Sequence, residues 1–193
     1  MARKDDNDDM ASPAETLAKL ERLARLLRQS GHAKGLNPVQ WEALRYLSRC
    51  NALSYSPGAM SKYLGSTKGT VSQTIMALEK KGFLLKRVEA KDSRGVALYL
   101  TDAGKTLLAD DDLNVVKADI VELSDKTRRR FDRALDALLE QARLRHGEPR
   151  FGNCLDCRYY REASSGLSAH CMKVNAAVTA EETKLICVEH VAR

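Results

Sequence analysis

The chain has 193 residues, 44% of them hydrophobic, 30% charged and only 5% aromatic, with a formal net charge of +6. At about 100–200 residues per domain this allows one domain with an appendage or two small ones, and the composition excludes wholesale disorder. No apolar run approaches the roughly 18 residues of a membrane span, and the polar opening MARKDDNDDM offers no signal-peptide core.

A cytoplasmic protein without a membrane partner is therefore expected. Its five cysteines read as ligands, redox groups or buried thiols before structural disulfides.

Residues 1–11 read as a disordered acidic tail. Ser12-Pro13-Ala14-Glu15 is a helix start: a capping serine, proline at the first helical position and glutamate at the third. Leu17, Leu20, Leu23, Leu26 and Leu27 follow at helical spacing, so residues 12–36 are expected to hold an amphipathic helix to about Arg28 and a glycine-containing loop. Asn37-Pro38-Val39-Gln40 repeats the start signal, and Trp41, Leu44 and Leu47 give the next helix its apolar stripe. Ser56-Pro57 begins a short third helix with Met60, Tyr63 and Leu64 inward, ended by Gly65. Ser66 is expected to cap a fourth helix that stops at Gly82. Two short helices about a glycine turn are the helix-turn-helix pattern.

Two β-prone runs, Phe83–Glu89 and Val96–Leu100, flank the polar loop Lys91-Asp92-Ser93-Arg94-Gly95 and predict a hairpin. Thr101 caps a further helix expected to carry Leu107, Leu108, Leu113, Val116 and Ile120 on one side. Ser124-Asp125 breaks it, and a long helix with Phe131, Leu135, Leu138, Leu139 and Leu144 runs to Gly147.

Charge is concentrated in residues 56–100, which hold eight basic side chains against three acidic ones, whereas residues 147–193 are balanced. A local basic excess inside a folded segment is the footprint of nucleic-acid binding. On the fourth helix Val71, Ile75 and Leu78 fall on the core side. Gly69, Gln73, Met76 and Lys80 fall opposite, flanked by Ser66, Thr70 and Ser72. That outward face is small and polar near the helix start, the end that enters a major groove. Gly69 lets the backbone approach the duplex, Gln73 can pair with adenine, Thr70 can touch a thymine methyl, and Lys68 is placed for phosphate.

The stretch Gly65–Thr74, the helix end Leu78-Glu79-Lys80-Lys81-Gly82, the loop Asp92-Ser93-Arg94-Gly95 and Leu100-Thr101-Asp102-Ala103-Gly104 resemble the MarR family of winged-helix transcription regulators over roughly residues 13–145. The resemblance implies a mainly α (α+β) fold: a winged helix-turn-helix over 37–101 with dimerisation helices at 12–36 and 102–146. It further implies that Arg94 reaches from the wing tip into a minor groove, that Asp92 orients it with Lys91 alongside, and that a homodimer reads a pseudo-palindromic double-stranded operator. A small-molecule effector is also implied, as in many such proteins.

Residues 147–193 lie outside that pattern. Cys154, Cys157, Cys171 and Cys187 occur within about 35 residues, and a Cys-x2-Cys turn brings two sulfurs within reach of one metal. Four thiolates suit tetrahedral zinc or an iron–sulfur cluster. A segment this small needs such a staple to fold. The wide separation of Cys171 and Cys187 leans toward a cluster, while His170 or His190 can substitute for a cysteine. Cys50 stands apart, as a semi-buried thiol. The expectation is a non-enzymatic DNA-binding repressor with a C-terminal four-cysteine metal segment that senses redox state or iron through packing on the dimerisation helices. The alternatives are a regulator of aromatic-ligand response with a structural zinc, an architectural DNA binder, and a DNA-localised thiol or iron–sulfur enzyme. No phosphate loop, nucleophile–His–acid set or HExxH supports the last.

Overall fold

The computed structural model describes residues 11–29, 34–88, 95–162 and 169–193. The chain divides into two compact units, Met1–Pro38 and Val39–Arg193. The first contributes α1 (Pro13–Gln29). Its start is a reciprocal capping box: Ser12 donates from both N–H and Oγ to Glu15 Oε2, at 2.7 and 2.9 Å, and the Glu15 N–H donates to Ser12 Oγ at 3.2 Å. Leu17, Leu23 and Leu26 on this helix are exposed.

The second unit is built on α2 (Pro38–Arg49), α3 (Pro57–Tyr63) and α4 (Lys68–Lys80), followed by the antiparallel hairpin β1 (Leu84–Val88) and β2 (Val96–Leu100). Its core is aliphatic around three larger side chains, Trp41, Tyr46 and Met60, with Leu44, Val71, Leu78, Leu84 and Leu98 fully enclosed. Val71, Ile75 and Leu78 of α4 are buried as the spacing predicts, and Thr74 joins them because its hydroxyl donates to the Thr70 carbonyl at 3.0 Å. The residue that caps α4 is Thr67, not Ser66. Thr67 is extended and its hydroxyl accepts from the Thr70 N–H at 3.2 Å, while the Ser66 hydroxyl turns back to the Leu64 carbonyl.

Residues 101–123 hold two helices where the sequence predicts one: α5 (Asp102–Ala109) and α6 (Leu113–Glu122). The break falls at Asp110-Asp111-Asp112. Asp111 is buried and bound in a fork by Arg45 of α2, with both N···O distances 2.6 Å, and it also accepts from the Leu113 N–H at 3.0 Å. Asn114 covers the ending carbonyls of α5 at Leu108 and Ala109. A planar guanidinium pairing of this kind is short and directional, and it fixes the chain where a continuous helix would carry Asp111 away. The final helix, α7 (Asp125–His146), is capped by Ser124 and ends at Gly147, whose φ of 63° is the left-handed region glycine favours. Neither α6 nor α7 has a buried residue.

Residues after α7 form a three-stranded antiparallel sheet of two-residue strands, β3 (Tyr160–Arg161), β4 (His170–Cys171) and β5 (Ala176–Ala177). Cys50 is fully buried rather than semi-buried, and it bridges in parallel to Ile186 of this segment instead of standing apart. Burial pushes its thiol up to about 12. His190 is likewise buried, its ring against the backbone of Gly152 and its Nε2 3.1 Å from Asp156 Oδ1.

Candidate functional site

The outward face of α4 is as the spacing predicts: Lys68, Gly69, Thr70, Ser72, Gln73 and Lys80 are all exposed, with Ser66 half-buried just ahead of the helix. The cap residue Thr67 is exposed too, and its hydroxyl lies 2.9 Å from that of Thr70. The adjacent Ser66-Thr67 pair hides this residue in the sequence, because either side chain can cap. Thr70, three positions beyond Thr67, is the signal that separates them. The first turn of α4 thus presents hydroxyls, helix N–H groups and the positive end of the helix dipole together.

A groove of about 490 Å³ runs between this helix and the hairpin, lined by Lys68, Ser72, Lys86 and Val96 among others. Lys86 is held there by Glu79, with its Nζ 2.8 Å from Glu79 Oε2. Arg87 on β1 lies over the Tyr99 ring at 5.3 Å. The hairpin register places Val88 opposite Val96 at the open end of the two strands. Lys91, Asp92 and Arg94 lie in that loop, outside the described residues.

The four predicted cysteines are all buried and line one cavity of about 110 Å³. Three local structures bring them there. Cys154 and Cys157 flank a 3-10 turn closed by the Cys157 N–H on the Cys154 carbonyl at 3.1 Å, and Asn153 caps it by accepting from the Leu155 N–H. Cys171 stands on the central strand opposite Tyr160. Cys187 is drawn in by an antiparallel bridge to Gly152, its N–H donating to the Gly152 carbonyl at 2.8 Å. Burial, then the nearness of the Cys187, Cys171 and Cys157 sulfurs, pushes the Cys154 thiol up to about 11. Neither His170 nor His190 lines the cavity: His170 Nε2 faces Asn175 Oδ1 at 3.0 Å, and His190 faces Asp156. Among the described residues, no three His, Cys, Asp or Glu side chains are gathered closely enough to hold a single metal ion.

One wall of the cavity belongs to the winged helix. Asn51, Ala52 and Leu53, in the connection between α2 and α3, line it beside the cysteines. Asn51 donates its N–H to the Ile186 carbonyl at 2.9 Å, Ile186 donates to the Arg49 carbonyl at 2.8 Å, and Val188 donates to Ser54 Oγ at 2.9 Å. Sequence inspection singles out neither Asn51 nor Ser54, because pairing over more than 130 positions leaves no local pattern.

Residues 34–95 match the family model of the MarR family. Among solved structures, the chain is 23% identical to a MarR/EmrR family transcriptional regulator from Acinetobacter sp. ADP1, covering 69% of this chain and 98% of that one with a TM-score of 0.54. It is 22% identical to a MarR transcriptional regulator from Methanosarcina mazei Go1, covering 67% and 94% with a TM-score of 0.52. It is 19% identical to S. aureus MepR in a DNA complex, covering 69% and 99%, also at 0.52. No curated protein matches the chain.

Proposed function

We propose, from the MarR-family domain that residues 34–95 carry, that the chain is a sequence-specific DNA-binding regulator of transcription that acts as a homodimer in the cytoplasm. The observation that carries this is the exposed small polar start of α4 beside a groove with Lys68 and Lys86 on its walls. Such a helix start fits a major groove, and the lysines fit the flanking phosphates. MepR, of like fold, was crystallised with DNA. Gln73 and Thr70 read base edges, Ser66, Lys68, Ser72 and Lys80 position the backbone, and Arg94 on the wing enters the minor groove.

The dimer is supported by α6 and α7, which bury nothing within the chain yet carry Val115, Val121, Phe131, Leu138, Leu139 and Leu144 exposed. Occupying an operator, the dimer blocks transcription. The four cysteines supply thiolates for a metal-containing group that spans their shared cavity, and that site carries the signal.

Selection of duplexes from a random pool with purified protein tests the function. The expected result is a pseudo-palindrome with half-sites about one helical turn apart. Its affinity should fall steeply with salt, by about 0.9 in the log–log slope per neutralised phosphate. Enrichment of no sequence, with salt-independent binding, would defeat the assignment.

A further inference from the structure

We propose that Cys154, Cys157, Cys171 and Cys187 hold an iron–sulfur cluster, and that this cluster sets the order of the helix-turn-helix through the Leu185–Val188 segment. The proposal rests on the thiolate site of the preceding section and names its occupant and its regulation.

The occupant follows from size and surroundings. Four thiolates around one zinc, each about 2.3 Å from the metal, are drawn within roughly 4 Å of one another. Such a knot leaves no room at its centre. Here the four cysteines border a cavity of about 110 Å³, several times the roughly 10–15 Å³ that a single water needs on this measure. A cluster spreads its thiolates over more than one iron and fills such a space with its own inorganic sulfides. The remaining lining is largely apolar, with Leu53, Tyr160, Val174 and Val178, and so shields a group that water and oxygen degrade. Asn51 reaches the cavity from the winged helix and lines it beside Cys187, with a side-chain amide that can donate. Hydrogen bonds to sulfur ligands are one of the levers that tune cluster stability and potential. Ligation releases one proton per thiol, because only the thiolate binds.

The coupling follows from where Cys187 stands. Its neighbours Ile186 and Val188 make three hydrogen bonds to Arg49, Asn51 and Ser54. Ser54 is fully buried, and its carbonyl also accepts from the Tyr46 hydroxyl at 2.7 Å. Tyr55, next in the chain, accepts from the Leu98 N–H of the wing at 2.8 Å. Ser56, next again, caps α3 through the Ala59 N–H. Residues 50–56 are therefore pinned on one side by the cysteine segment. On the other side they hold both the first helix of the helix-turn-helix and a strand of the wing. Losing the cluster frees Cys187 and with it the Leu185–Val188 segment that pins this connection. The loss should raise opening of residues 50–60 without melting α4's own core.

The test uses full-length protein prepared anaerobically. Iron and acid-labile sulfide in equal amounts with visible absorption are expected, and one zinc per chain without sulfide would overturn the cluster. The cluster is then removed with ferricyanide and a chelator, and amide hydrogen exchange is compared before and after. Exchange at Asn51, Ala59 and Leu98 should rise by about tenfold or more, within the range of measured coupling energies. Unchanged exchange there would overturn the coupling. Ser54→Ala keeps all four cysteines but cuts the Val188 link. It should retain iron and sulfide while its exchange at Ala59 responds less than about fivefold to cluster removal, below the usual coupling range. A full response in Ser54→Ala would overturn the proposed route. If no duplex can be selected although iron, sulfide and the exchange response are as expected, the regulatory function fails and this proposal stands.

Discussion

Gly104 lies in the first turn of α5 with its bare Cα against the backbone of Phe83, and a Cβ there would run into the Phe83 carbonyl oxygen. That oxygen also accepts from the Thr101 N–H at 3.1 Å, so the carbonyl cannot swing aside without releasing the helix start. Gly104→Ala should therefore destabilise the winged helix by roughly 1–3 kcal/mol, the usual range for overpacking. A helix-propensity argument alone gives the opposite sign, since alanine is the better helix former. Thermal unfolding decides between them, and an unchanged or raised midpoint would contradict the close contact. A second residue-scale consequence concerns pH. Burial holds Cys50 at about 12 against an ordinary thiol value of 9.0, and it also pushes the Tyr46 phenol well up from 10.0. Both groups keep their protons in the fold and lose them on unfolding. Their contribution is complete below pH 9 and drains away as pH rises toward 12, because the unfolded chain sheds protons that the folded one retains. Urea midpoints measured from pH 7 to 10.5 should fall, and Cys50→Ala should flatten that fall.

At the scale of elements, α4 and its cap concentrate the recognition chemistry. Gln73 is exposed, one turn beyond the polar helix start. A paired amide–adenine contact discriminates by about 1–3 kcal/mol. Gln73→Ala should leave the fold unchanged and relax preference at one position in each half-site. Repeating the duplex selection with this variant checks it, and an identical consensus would remove Gln73 from base reading. These elements were legible because their signals are local. Ser56-Pro57, Gly65, Val71-x3-Ile75-x2-Leu78 and the two β-prone runs each act within a few residues. What escaped was set from far away. The α5–α6 break depends on Arg45, 66 positions from Asp111, and three aspartates in a row read equally well as the wet side of one helix. The docking of the cysteine segment escaped for the same reason. Its bonds to Arg49 and Asn51 are backbone to backbone and need no particular side chain at either end. The cysteines themselves were legible, because their residue type and spacing carry the chemistry; the wall that Asn51 and Leu53 add to their cavity was not.

On the scale of the whole molecule, the question is what covers α7. It has 22 residues, and Phe131, Leu138, Leu139 and Leu144 are 37%, 51%, 65% and 57% exposed. An amphipathic helix of this length gains most of its stability from packing an apolar face, and little from propensity alone. Val115, Ile120 and Val121 of α6 are also exposed. A second copy of the chain is the partner that fits, because a two-fold contact presents each apolar stripe with its own complement and brings two α4 helices to one duplex. Leu138→Asp tests this. In a monomer the change lies on an exposed surface and should cost within about 0.5 kcal/mol. In a dimer it buries a charge in each apolar interface without a counter-ion, which such interfaces do not tolerate. Sedimentation should therefore show monomer for the variant and dimer for the parent, with the winged helix still unfolding cooperatively. Affinity for the full pseudo-palindrome should drop by about 10²–10⁴, the advantage that linking two half-site contacts confers. Affinity for an isolated half-site should stay the same in parent and variant. A Leu138→Asp protein that remains dimeric would place the contact elsewhere and leave the exposed face of α7 to another partner.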